Sequence, residues 1–236
     1  MKILVIGGMH GNEPLGLKVV KLLQNKTINN VSVIIANEKA AEKNCRFIIQ
    51  DLNRSFPGNI KSNSYEKKRA AELLEFCNQH DLILDFHNTS CQNNDCTFVG
   101  NTASKFLFDI SSWLGLNQII VADYDCINKY NPNCLSIEIS LNSKLTNPLI
   151  WYGLISRLVA QDSIPAAKGI KKYKFIYRIT LEDRDSLKLD KRNLQAFKII
   201  DRKLAKALGV QNPAFPIFIG DSFTPYNYGG LLNKIK

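Results

Sequence analysis

Short runs of consecutive apolar residues alternate along the chain with longer stretches in which apolar positions recur every three or four residues. Ile3 to Ile6 is the first such run, unbroken and followed by Gly7-Gly8, the pattern of a strand covered on both faces within a parallel sheet. Helical spacing follows over Pro14 to Leu23. Strand-like runs recur at Val31 to Ala36, Arg46 to Gln50, Leu82 to Phe86, Thr97 to Val99, Gln118 to Ala122 and Leu135 to Ile139. Tyr65 to Asn78, Lys105 to Trp113 and Pro148 to Ala160 carry amphipathic helical spacing between them. This alternation predicts an α/β fold with a mixed, mostly parallel central sheet flanked by helices. It breaks at Gln161-Asp162-Ser163-Ile164-Pro165. Beyond the break, Tyr173 to Thr180 and Ala214 to Ile219 read as strands and Arg192 to Leu208 as a helix. The spacing therefore predicts a principal domain over 1–163 and a small β-rich C-terminal domain over 164–236.

Composition narrows the class. The chain has 236 residues, a formal net charge of +10 and 45% hydrophobic content, values of an ordinary folded domain rather than a disordered or fibrous one. Its excess Lys and Arg are scattered singly. They carry no dense basic run and no nucleic-acid module, so the charge reads either as composition bias or as a field that draws in small anions. No apolar stretch approaches the roughly 20 residues that span a bilayer as a helix. No role on nucleic acid or in a membrane is therefore expected. The six cysteines form no C-x-x-C pair, which argues against a zinc knuckle or a thioredoxin-type motif. With Met1 running straight into a strand and no signal peptide, buried thiols in a reduced, cytoplasmic setting are expected.

Candidate chemistry sits where predicted strands end, the usual place for sites in open α/β sheets. Gly7-Gly8-Met9-His10-Gly11-Asn12-Glu13 follows the first strand. It does not meet the G-x-G-x-x-G spacing of a dinucleotide loop. His10 and Glu13, three apart, can face one ion; alone they could equally be a hydrogen-bonded turn residue and a carboxylate at a helix N-terminus. His87, one of only three histidines, closes Leu84-Asp85-Phe86-His87-Asn88-Thr89 at a second strand end. Two histidines and a glutamate leave one zinc position open, as catalytic sites do. Arg46, Asp51, Asn53 and Arg54 lie in one short segment that suits carboxylate recognition and oxyanion stabilisation, or else simple surface ion pairs with Asp51. Glu138 falls inside the apolar run Leu135 to Ile139, where it is either a semi-buried general base or an outward-facing strand residue. His80 has no comparable context.

Four separated pieces, GGMHGNE, CRFIIQDLNRSF, DFHNT and SIEIS, resemble in their order the aspartoacylase and succinylglutamate desuccinylase family, relatives of the zinc carboxypeptidases. The resemblance covers the first 140 or so residues. It implies a zinc carboxypeptidase-like fold and one Zn2+ bound by His10, Glu13 and His87. Glu138 would be the general base, Arg46 would polarise the scissile carbonyl, Asn53 and Arg54 would hold the substrate α-carboxylate, and Asp51 would support them. Tyr124 falls where the family has a substrate-contacting tyrosine. The family arginine that grips an aspartate side chain is replaced by Asn128, with Lys129 beside it as a substitute charge. In the tail, Phe215 to Ile219 resembles the stretch before a substrate-binding tyrosine, for which Tyr226 is the match and Tyr228 the second candidate.

The implied activity is hydrolysis of a small anionic N-acyl-L-amino acid, N-acetyl-L-aspartate first, to a carboxylate and a free amino acid. Desuccinylation of N-succinylglutamate is the nearest alternative, with peptide carboxypeptidase action and a non-catalytic zinc-binding module behind it. The sequence leaves the oligomeric state open, a homo-oligomer included.

Overall fold

The computed structural model describes residues 1–192, 194–223 and 227–235. Its elements run β1 (Ile3–Gly7), α1 (Pro14–Asn25), β2 (Val31–Ile35), α2 (Glu38–Glu42), α3 (Tyr65–Cys77), β3 (Leu82–Thr89), β4 (Cys96–Gly100), α4 (Lys105–Trp113), β5 (Gln118–Ala122), α5 (Ile127–Tyr130), β6 (Cys134–Ser140) and α6 (Pro148–Val159). β7 (Lys171–Ile179), α7 (Leu181–Ser186), α8 (Arg202–Ala207), β8 (Phe215–Ile217) and β9 (Gly229–Ile235) complete the chain.

The strands form one sheet in the order β2-β1-β3-β6-β4-β5-β7-β9-β8. Neighbours from β2 to β6 and from β4 to β7 are parallel, whereas β4–β6, β7–β9 and β8–β9 are antiparallel. The mixed, mostly parallel sheet flanked by helices is the fold class expected from the alternation of apolar runs. Every residue of β1 and β3 is buried, which is why Ile3 to Ile6 and Leu82 to Leu84 are continuous apolar runs rather than alternating ones.

Helix α1 lies on this sheet through Leu15, Val19, Val20 and Leu23, each side chain contributing about 1.5–3 kcal/mol by leaving water. Its close approach depends on Gly7 and Gly16. A Cβ on Gly7 would fall 2.3 Å from the Gly16 carbonyl carbon, so the first strand and the helix meet backbone to backbone. Trp151 of α6 is fully buried on the same side, edge-on to Phe86 with ring centroids 4.8 Å apart.

Two expected elements differ. Arg46 to Gln50 is a loop: the N–H groups of Ile48 and Ile49 donate to the buried Glu66 carboxylate at 2.7 and 3.2 Å, and that side chain takes the place of a neighbouring strand. The expected helix over Arg192 to Leu208 shrinks to α8. Phe197 has φ +56, and the N–H groups of Phe197 and Ile200 bond to Pro216 O and Ala214 O. Pairing with the β8 region thus displaces helical bonding upstream of Asp201, whose carboxylate caps α8 by accepting from Leu204 N–H at 2.9 Å. β9 and α7 were not anticipated by the spacing.

The expected boundary near 163 falls between α6 and β7. After it, β7 pairs with β5 and extends the same sheet. Ile179, Leu194 and Leu231 belong to a separate core cluster, while Tyr173, Phe215 and Leu232 pack with Phe98 and Ile120. Among the described residues no helix is long and apolar enough to cross a membrane. All six cysteines are unpaired, five of them buried.

Candidate metal centre and substrate pocket

The first strand delivers its chain end through Gly8, whose φ of +69 is the left-handed turn that glycine adopts without strain. A tight turn follows, Glu13 N–H bonding His10 O at 3.2 Å, and α1 begins only at Pro14. The three-residue spacing therefore works through a turn and not through a helix. Glu13 stands at the helix N-cap without capping it. Instead Asn88 accepts from Leu15 N–H at 2.7 Å and donates to Ile139 O at 3.0 Å. That leaves the Glu13 carboxylate free to face the two histidines.

His10 Nδ1 lies 2.7 Å from Glu13 Oε1, and His87 Nδ1 lies 3.1 Å from Glu13 Oε2. One ligand atom from each of the three residues falls within 4.8 Å of the others, and all three residues are buried. Each ring turns its other nitrogen to a carboxylate: His87 Nε2 to Asp85 at 2.7 Å, His10 Nε2 to Asp51 at 3.2 Å. A carboxylate behind each histidine fixes the tautomer that leaves the opposite nitrogen as a donor to a metal. The donor set and its outer partners fit a divalent cation such as zinc.

Electrostatics agree with the geometry. Burial works against a charged Glu13, but the charges and hydrogen bonds of His10 and His87 outweigh it and hold the carboxyl well below its ordinary range. Burial likewise disfavours a charged His87, yet Asp85 and Glu13 lift it well above the usual histidine value. Asp51 is also held low, since His10, Arg46 and Arg54 overcome its burial. The site gathers negative charge that calls for a cation.

Glu138 enters from β6, where it pairs in register with His87 of β3; parallel register puts both side chains on one face. Its Oε1 is buried with no hydrogen-bond partner, and burial with the nearby Glu13 charge pushes its carboxyl well above the ordinary range. Arg46 reaches across from its loop. It donates to Asp51 Oδ2 at 3.1 Å, Phe223 O at 3.1 Å and Glu13 Oε1 at 3.3 Å, with Nη2 2.9 Å from His10 Nε2.

A pocket opens on this cluster, lined by His10, Glu13, His87, Arg46, Glu138 and, from the 3-10 turn Leu52–Arg54, Asn53 and Arg54. Asp51 sits behind them, bonding Asn53 N–H at 2.9 Å. Arg54 is exposed and stacks over Tyr124, 4.5 Å from its ring centroid; Tyr124 also lines the pocket. Lys129 is not brought in. Its ammonium pairs with Asp125 at 2.6 Å one helical turn away, while Asn128 is buried, its amide bonded to Phe98 O and Cys134 O. Tyr226 lies outside the described residues. Tyr228 donates its hydroxyl to Leu189 O at 3.2 Å inside the C-terminal core and does not line the pocket. His80 stays at the end of α3, bonded to Phe76 O.

Several pocket residues gave no signal in the sequence. Phe98 and Phe218 stack with centroids 6.0 Å apart and form an aromatic wall with Phe175. Asp221 bonds Ser90 N–H and hydroxyl at 3.0 and 2.8 Å and ties the tail to the end of β3. Arg178 lines the pocket from β7. All but Phe98 come from the segment after 164, where spacing alone cannot say which side chains turn towards the metal-ligand cluster.

The catalytic-domain model of the succinylglutamate desuccinylase/aspartoacylase family matches residues 1–127. The N-acyl-aromatic-L-amino acid amidohydrolase (carboxylate-forming) of Xenopus tropicalis is 32% identical over 130 residues, covering 48% of this chain and 41% of that protein. The aspartoacylase of Danio rerio is 34% identical over 123 residues, covering 44% and 39%. The match thus spans about four-tenths of the length of these curated relatives. Among solved structures, the succinylglutamate desuccinylase of Chromobacterium violaceum superposes with a TM-score of 0.76 at 16% identity, covering 100% of this chain and 85% of that one. Murine aminoacylase 3 superposes at 0.70 with 17% identity, covering 100% and 95%. At those identities the likeness is one of fold.

Proposed function

Because the chain belongs to the succinylglutamate desuccinylase/aspartoacylase family, we propose that it is a zinc-dependent amidohydrolase that cleaves an N-acyl-L-amino acid, N-acetyl-L-aspartate first, to a carboxylate and the free amino acid. One observation carries the reading: Glu138 Oε1, buried and without a partner, sits in register beside a His10–Glu13–His87 cluster whose donor set suits zinc. A group left unsatisfied inside a polar pocket is matched by a ligand.

Zinc held by His10, Glu13 and His87 would supply Lewis acidity, lowering the pKa of a water and polarising a carbonyl. The protein's own groups do the rest. Arg54 and the Asn53 amide hold the α-carboxylate, with Tyr124 backing the Arg54 guanidinium. Arg46, steadied by Asp51, offers N–H groups to the scissile carbonyl oxygen as it gains negative charge. Glu138 accepts a proton from the attacking water, whose oxygen bonds to the carbonyl carbon. When the C–N bond breaks, Glu138 returns that proton to the leaving amine nitrogen, and no covalent enzyme intermediate forms. In this reading residues 1–163 supply the chemistry and 164–236 wall the substrate side. A reduced, cytoplasmic setting accords with six unpaired cysteines.

N-succinyl-L-glutamate is the other acidic substrate these groups would hold. A second reading, an N-acyl amino acid with an aromatic side chain, is favoured by the Phe98–Phe218 wall. The test is amine release from a panel of N-acetyl-L-aspartate, N-succinyl-L-glutamate and N-acetyl-L-phenylalanine by zinc-loaded protein. Turnover should vanish on chelation and fall roughly 100- to 10,000-fold in Glu138→Gln. No turnover on any substrate, or a Glu138→Gln variant as fast as the wild type, would sink it.

A further inference from the structure

β7 and β9 do not pair evenly. Phe175 faces Leu232, Tyr177 faces Leu231 and Arg178 faces Gly230, so the register slips between Phe175 and Tyr177 and leaves Ile176 as an extra residue. A bulge of this kind reverses the alternation of side chains downstream of it. Phe175 and Arg178, three apart, therefore share one face, whereas an even strand would turn them to opposite faces. The core clusters mark the two sides. Phe175 and Leu232 pack with Phe98, while Tyr177 and Leu231 pack in the C-terminal core behind them. The slip thus turns Arg178 to the pocket.

The facing strand makes room for it. Gly229 and Gly230 line the pocket without side chains, and a Cβ on Gly230 would fall 2.3 Å from Phe175 Cζ, because the ring lies against that backbone. Arg178 beside it is exposed, and its guanidinium makes no hydrogen bond or ion pair with another described residue. The other pocket arginines are engaged: Arg46 with Asp51 and Glu13, Arg54 on the Tyr124 ring and Asn53 O. Lys129, the charge expected to meet an acidic side chain, is spent on Asp125. One uncommitted guanidinium thus remains among the residues that line the pocket.

We propose that Arg178 binds the second carboxylate of the substrate and so sets a preference for dicarboxylic N-acyl amino acids. This rests on the amidohydrolase reading above. The guanidinium fork suits a bidentate carboxylate, and the second carboxylate can belong to the amino-acid side chain or to the acyl group. The two sources are separated by the substrates below.

The experiment measures kcat and KM of the zinc-loaded full chain and of Arg178→Gln and Arg178→Lys on N-acetyl-L-aspartate, N-succinyl-L-leucine and N-acetyl-L-leucine. Calorimetric binding of the products L-aspartate and L-leucine runs in parallel. Removing a charge-assisted hydrogen bond corresponds to a roughly 10- to 100-fold loss. Arg178→Gln should show that loss in kcat/KM on one dicarboxylic substrate, mostly through KM, with N-acetyl-L-leucine changed less than about twofold; Arg178→Lys should recover part of it. The affected substrate identifies which end carries the second carboxylate. An equal loss on all three substrates, or none on any, overturns the role of Arg178. Weakened binding of L-aspartate but not L-leucine, with no substrate hydrolysed by the wild type, would keep Arg178 as the carboxylate grip and remove the amidohydrolase reading alone.

Discussion

At the scale of single residues, the two site histidines share one arrangement. Each turns Nδ1 to the Glu13 side and Nε2 to an aspartate. Asp85 is fully buried and also lies 3.0 Å from the Ser136 hydroxyl, so its carboxylate is fixed behind His87. Asp85→Asn keeps the shape and removes the charge. We expect zinc affinity to fall about 10- to 100-fold, measured by competition with a chromophoric chelator, with the melting temperature of the metal-free protein recorded as a control for folding. Unchanged affinity in a folded variant would mean that Asp85 has no hold on the metal through His87.

Elements hold these residues in place, and most are set by hydrophobic spacing alone. The run that became β1 was readable because burial on both faces demands unbroken apolar sequence, and those of β3, β5 and β6 because their aliphatic and β-branched content suits strands. Arg46 to Gln50 carries the same β-branched composition, but a single buried glutamate from α3 took its backbone donors; no local pattern announces such a partner. The register slip in β7 is equally silent in sequence, and with it the orientation of Arg178. Helix α7 shows local chemistry winning. Thr180 and Asp183 form a reciprocal cap, Thr180 N–H donating to Asp183 Oδ2 at 2.8 Å and Asp183 N–H to the Thr180 hydroxyl at 3.0 Å. Burial alone would raise the Asp183 carboxyl, but the bonds from Thr180 and Tyr177 hold it below its ordinary value. A depressed folded-state pKa contributes stability that is complete above the unfolded value near pH 4 and is lost as pH falls through the folded one. Asp183→Ala should therefore cost about 1 kcal/mol at pH 7, roughly 2–4 °C in melting temperature for a chain of this size, with the gap narrowing below about pH 4. Thermal melts across pH 3 to 7 check it, and a gap that is absent at pH 7 or widens in acid would show that the cap does not act this way.

Across the whole molecule, one sheet carries both the metal-ligand cluster and the residues that wall its pocket. His10 follows β1 in a turn, while His87 and Glu138 lie in β3 and β6, and the three strands are adjacent in the sheet. Three of the four stretches converge because the order of parallel strands brings their carboxyl ends together, and the fourth, carrying Arg46, reaches them from a loop. The far wall was not readable. Phe175, Arg178, Phe218 and Asp221 reach the pocket only because β7 continues the sheet beyond β5 and the β8–β9 pair folds back over it, long-range pairings that no local pattern encodes. Lys129, close in sequence to the expected position, pairs instead with Asp125 four residues back. Whether His10, Glu13 and His87 hold a zinc ion is decided by anomalous diffraction from crystals of the zinc-loaded protein, above and below the zinc edge. One peak is expected, within bonding distance of both histidine Nδ1 atoms and the Glu13 carboxylate; a peak elsewhere, or none among these three side chains, would rule this metal centre out.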